Sequence, residues 1–128
     1  MNLVDSCGWL EYFADGDNAG FFAPAITDTA NLLVPTLALF EVFKRVLQQQ
    51  EENVALQAVA MMQQGTIVDL TADISLRAAK LAVTHKLPMA DSVMLATARR
   101  YRARLWTQDG DFEGIEGVHY RRKVMGQT

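Results

Sequence analysis

The chain has 128 residues, half of them apolar, with a net charge of −3, enough to bury roughly two-thirds of the unfolded surface in a single domain spanning residues 1–128. Its one cysteine excludes an internal disulfide and suits a reducing compartment. The longest uncharged run, 53–68, is broken by Gln57, Gln63, Gln64 and Gly65, which excludes a bilayer span.

In chain order, the opening residues MNLVD lack the basic residues and apolar core of a signal peptide, so the expected location is the cytoplasm. Asn2–Asp5 reads instead as a short buried strand. Ser6 is positioned to cap a helix to about Ala14, with Trp9, Leu10 and Phe13 on one face. A second helix is predicted over about Ala19–Thr29, interrupted near Pro24. Leu32–Val34 is a strand ended by Pro35, and Thr36 begins a long helix to about Gln50. Good helix formers over Glu51–Gln64 predict another helix, ended by Gly65. Thr66–Leu70 follows as a strand, and Thr71 caps a helix running to His85–Leu87. Pro88 opens a helix over Met89–Tyr101. Arg104–Thr107 and Val118–Tyr120 are the last strands. Strands alternating with helices predict an α/β fold, with a short, mostly parallel sheet covered on both faces. Right-handed crossovers then put the strand C-terminal ends on one rim, where ligands bind in open α/β sheets.

Two acidic stretches resemble the start of a calcium loop. DGDFEG at 109–114 has Tyr120 where the closing bidentate glutamate belongs, and DGDNAG at 15–20 has Ile26 there. Neither is a calcium loop. Four acids fall in a different pattern. Asp5 ends the first strand, and Asp109 lies just beyond a later one. Asp91 sits in the first turn of its helix within PMADSVMLATA, and Glu41 lies inside ALFEVF. Each has an ordinary explanation: helix capping for Asp5 and Asp109, the helix macrodipole for Asp91, and pairing with Lys44 or Arg45 for Glu41. Together, four acids at comparable rim positions in apolar surroundings favour a shared site, because unpaired buried carboxylates are costly.

Two such charges ~4 Å apart repel by roughly 4 kcal/mol at an effective dielectric of about 20. A divalent cation resolves this, and an all-oxygen ligand set selects Mg²⁺ or Mn²⁺. With His85, His119 and Cys7 as the only nitrogen or sulfur ligands, zinc has few partners. Cys7 reads as a small buried hydrophobe.

Residues 1–43 contain no Lys or Arg, whereas Arg99, Arg100, Arg102, Arg104, Arg121, Arg122 and Lys123 crowd the last third. RRYRAR at 99–104 reads either as a basic stripe for phosphate backbones or as a solvated helix end whose cations suit the macrodipole.

NLVDSCGWLEYF, Glu41 after PTLALF, PMADSVMLATA and WTQDGDF resemble the PIN domain, most closely the VapC-type toxins of VapBC toxin–antitoxin systems. The resemblance spans essentially the whole chain. It implies a three-layer α/β/α sandwich and a Mg²⁺- or Mn²⁺-dependent endoribonuclease. On it, Asp5, Glu41, Asp91 and Asp109 are the catalytic, metal-binding acids, with Asp111 auxiliary. Ser6 and Thr107 are the hydroxyls that orient them. Arg99, Arg100 and Arg102 are the residues expected to bind RNA. The partners implied are an RNA substrate, a VapB-like antitoxin and a second copy in a homodimer. Phe21, Phe22, Phe40 and Phe43 are candidates for the surface that receives one of the protein partners. Two other readings remain. One is a Mg²⁺-dependent phosphate-transfer protein of the receiver or haloacid-dehalogenase kind, although Cys7 stands where the phosphatase pattern wants an acid or Thr. The other is a non-catalytic binding module on the same fold.

Overall fold

In a computed structural model describing residues 1–124, five short strands form an all-parallel sheet. They are Asn2–Val4 (β1), Leu32–Pro35 (β2), Thr66–Val68 (β3), Arg104–Thr107 (β4) and Val118–Tyr120 (β5), in the order β3-β2-β1-β4-β5. Six helices flank the sheet in an α/β/α sandwich: Ser6–Phe13 (α1), Ala19–Thr27 (α2), Thr36–Gln49 (α3), Glu52–Met62 (α4), Ala72–His85 (α5) and Met89–Arg100 (α6). Buried parallel strands require apolar residues on both faces. β1 and β2 comply: Leu3, Val4, Leu32 and Val34 are completely inaccessible. They meet Trp9 and Phe22 from α1 and α2, Ala38 and Val42 from α3, Met62 from α4, and Met94 and Leu95 from α6. A smaller cluster of Ile74, Ala78, Val93 and Ala96 joins α5 to α6.

Local boundaries differ from the sequence reading in instructive ways. The cap of α1 is Asp5, not Ser6: Asp5 keeps extended backbone, and its carboxylate accepts the Ser6 amide at 2.8 Å. That leaves the Ser6 hydroxyl free. α2 continues through Pro24 and stops at Thr27 rather than Thr29. A helical proline forfeits the bond to the carbonyl four residues earlier. Here that carbonyl belongs to exposed Gly20, where solvation offsets the loss. At α5 the expected cap is present, with the Thr71 hydroxyl accepting the Ile74 amide at 3.2 Å. The helix ends at Lys86, in left-handed conformation.

α6 sets the polarity of the site. Asp73 at the start of α5 lies 3.6 Å from Arg100 at the end of α6, so the two helices run antiparallel. Arg104, just after α6, pairs with Asn2 at the start of β1. The last turn of α6 therefore lies at the strand N-terminal edge, and its first turn at the carboxyl rim.

Candidate active site at the carboxyl rim

β1 and β4 are neighbours, with Val4 opposite Trp106. The ladder extends one step further, the Asp5 amide donating to the Trp106 carbonyl at 2.9 Å. This sets Asp5 beside Thr107, whose fully buried hydroxyl donates to Asp5 Oδ2 at 2.9 Å. The Thr107 hydroxyl oxygen in turn accepts the Asp109 amide at 3.0 Å. One side chain thus fixes the direction of one acid and the backbone of another. Beyond it, Asp109 caps a single 3-10 turn, accepting the Asp111 amide at 2.9 Å. The turn is anchored by Phe112, which is completely buried.

Asp91 enters from the first turn of α6. Its carboxylate and those of Asp5 and Asp109 each offer an oxygen, all within 4.8 Å of one another. Glu41, in the second turn of α3, joins them through Ser6, whose hydroxyl donates to Glu41 Oε1 at 2.6 Å. It forms no ion pair with Lys44 or Arg45 among the described residues.

The energetics are those of acids held together. Burial pushes Asp5 up to about 6, despite stabilising bonds from Thr107, Cys7 and the Ser6 amide, and the charge of Glu41 adds to the rise. Asp91 is pushed up to about 8, first by burial and then by the charges of Asp5, Asp109, Asp111 and Glu41. Both capping explanations are therefore correct for Asp5 and Asp109, yet neither relieves the crowding. Three carboxylate oxygens at this separation suit a hard divalent cation. No nitrogen or sulfur ligand belongs to the set.

Cys7 was read as a buried hydrophobe, but it belongs to this neighbourhood. Its sulfur is 3.4 Å from Asp5 Oδ2 and 3.5 Å from the Thr107 hydroxyl. Burial and the adjacent Asp5 charge push the thiol well above its ordinary range. It is a donor to the acid rather than a nucleophile. Its place two residues after the first acid, in the first helical turn, was the signal available in the sequence. Asn18 and Gln108 gave no comparable signal. Asn18, almost fully buried, donates to Gln108 Oε1 at 2.9 Å and to the Arg122 carbonyl at 3.1 Å. Gln108, itself buried, immediately precedes Asp109.

Other expected residues lie elsewhere. Asp111 is exposed, though its charge is felt at Asp91. Arg99, Arg100 and Arg102 stand at the opposite end of the sheet, with Arg100 some 13 Å along α6 from Asp91 at about 1.5 Å per residue. Arg99 is engaged by the Glu116 carbonyl and Arg100 by Asp73. The structure does not bring this basic stripe to the acids. Of the four phenylalanines, Phe22 is core, Phe43 packs partly buried against that core, Phe40 is exposed, and Phe21 packs against Trp106 and His119.

Fold and site define a class: an α/β/α domain with a cluster of carboxylates on the carboxyl rim of its sheet. The family model for the PIN domain matches residues 3–118, and the chain belongs to that family. No curated protein sequence matches it. Among solved structures, the fold is shared with a toxin–antitoxin complex from Klebsiella pneumoniae, at 24% identity and a TM-score of 0.77, covering 93% of this chain and 96% of that one. It is also shared with VapC20 of Mycobacterium tuberculosis, described as a sarcin–ricin loop cleaving toxin, at 18% identity and a TM-score of 0.74, covering 91% and 95%. A third is VapBC2 from Rickettsia felis, solved bound to a promoter DNA fragment, at 12% identity and a TM-score of 0.71, covering 94% and 97%.

Proposed function

We propose that the chain is the toxin of a VapBC-type pair, a Mg²⁺- or Mn²⁺-dependent endoribonuclease that cleaves cellular RNA and is neutralised by a VapB-like antitoxin. The observation that carries this reading is the convergence of Asp5, Asp91 and Asp109 within 4.8 Å, with Glu41 bonded to Ser6, the residue after Asp5. Membership of the PIN family and the shared fold with toxin–antitoxin proteins support it. No described helix is long and apolar enough to cross a membrane.

When bound, a divalent cation supplies charge neutralisation at the phosphoryl oxygens and a lowered pKa for water. Asp5, Asp91 and Asp109 would hold it, with Asp111 adding negative charge at the mouth. Thr107 keeps Asp5 in place, and Ser6 fixes one oxygen of Glu41. The other Glu41 oxygen accepts a proton from the attacking water. The water oxygen bonds to phosphorus in line with the departing 3′-oxygen. The bond to that oxygen breaks with its electron pair leaving on the 3′-oxygen, and the 3′-oxygen takes a proton from solvent. The products are a 5′-phosphate and a 3′-hydroxyl. No histidine is needed: His119 is packed between Phe21 and Trp106.

The test is cleavage of RNA by the purified chain. Activity is expected with Mg²⁺ or Mn²⁺, stopped by EDTA, and lost in Asp5→Ala and Asp91→Ala that keep the wild-type circular dichroism spectrum. Undiminished cleavage in those variants overturns the assignment.

A further inference from the structure

We propose that the groove bounded by α1, α3 and α4 seats the RNA strand leaving the acidic rim, with Arg45 and Lys123 engaging its phosphates. The inference rests on the ribonuclease reading and supplies what that reading lacks, a cationic track at the correct end of the sheet. The groove is about 590 Å³ and borders the site without including its acids. Cys7, in contact with Asp5, and Gln108, adjoining Asp109, are part of its lining.

A stripe on α3 leads into it. Glu41, Arg45 and Gln49 follow one another at helical spacing, so they share a face. Glu41 meets Ser6 at the acids, while Arg45 and Gln49 line the groove one and two turns further on. Lys123 lines it from the segment after β5. That segment is held in place: the buried Asn18 amide clasps the Arg122 carbonyl and the Gln108 side chain together. The acid within the lining, Glu11, has one oxygen accepting the Asn18 backbone N–H at 2.9 Å and the other facing Gln108 Nε2 at 3.4 Å.

Arg45 and Lys123 are exposed, and neither forms an ion pair among the described residues, whose salt bridges are Arg77 and Arg100 to Asp73. Leu10, Phe13, Val46 and Met61 give much of the lining an apolar character that suits bases. Arg45 and Lys123, without acidic partners among the described residues, suit the phosphates of a strand lying beside the acids. The acids repel RNA, so a strand reaching them needs compensating cations close by.

The test uses the full chain in EDTA, which stops cleavage, and a fluorescein-labelled oligouridine followed by fluorescence anisotropy. The double variant Arg45→Gln/Lys123→Gln is expected to weaken binding several-fold. It should also flatten the dependence of log affinity on log salt by about 0.7 per lost contact. The double variant Arg99→Gln/Arg100→Gln removes the same charge at the far end and is expected to bind as wild type. Equal affinity for wild type and the groove variant, as expected if the groove receives a protein segment instead, overturns the proposal. So does a larger loss from the far pair. Anisotropy needs no turnover. RNA held through Arg45 and Lys123 by a chain that cleaves nothing therefore refutes the nuclease alone. A nuclease whose affinity ignores them refutes the groove alone.

Discussion

The Ser6 hydroxyl and Glu41 carboxylate, on different helices, meet at 2.6 Å. Charge-assisted O–H···O bonds of this length are strong, and this one ties the start of α1 to the second turn of α3. Because Asp5 caps α1 itself, Ser6 is not required for the helix start. Ser6→Ala is expected to keep the fold and lower RNA cleavage about ten- to a hundredfold, the range for losing a residue that orients a carboxylate of a metal site. Ser6→Thr should restore most of it. Single-turnover cleavage checks the order, and wild-type rates in Ser6→Ala would reduce Ser6 to a helix residue.

Stability should fall as pH rises when no divalent cation is present. Asp91 goes from 3.8 to about 8 and Asp5 from 3.8 to about 6. Between these values the folded chain binds more protons than the unfolded one, so stability declines with pH. The contribution is complete below about pH 4 and lost as pH passes through 8. Asp91 is partly exposed, so water moderates the effect. Thermal melts in EDTA are expected to show Asp91→Asn more stable than wild type, by a margin that grows with pH and vanishes when Mg²⁺ is added. A wild-type chain more stable than Asp91→Asn at pH 8 in EDTA contradicts a crowded cluster.

Gly8 is constrained by its neighbours. A Cβ there would sit 2.6 Å from Phe22 Cε1 and 2.7 Å from Val4 Cγ1, both on completely buried side chains. Overpacking of this kind costs roughly 1–3 kcal/mol, against a gain of about 1 kcal/mol from helix propensity. Steric strain wins. Gly8→Ala is expected to lower the melting temperature by roughly 5 °C, and an unchanged or higher value would show that Phe22 can move aside.

The elements and their order were legible because each carries its own period and punctuation: Thr71 as a cap, Pro88 before α6, apolar runs at β1 and β2. Asp5, Asp91 and Asp109 were legible from position, since parallel topology places strand ends and the first turn of α6 on one rim. The cap of α1 was misread because Ser and Asp both cap well, and only the backbone conformation of Asp5 decides between them. The basic residues were harder. RRYRAR is conspicuous as a run, but the direction of α6 carries it away from the acids. Arg45 follows Lys44 and Lys123 follows Arg121 and Arg122, so nothing local singles either out, and folding brings the two to one groove. Asn18, Gln108 and Arg122 left no local trace, because their bonds join segments some 90 and 104 residues apart.

β1 is the middle strand, hydrogen-bonded on both sides, and Leu3 and Val4 are wholly inaccessible. Amides in such a position exchange with solvent only when the whole sheet opens. Asp5, attached to this strand and braced by Thr107 from the next, is therefore tethered to the last part of the molecule to loosen. The edge strands β3 and β5 can fray without disturbing it.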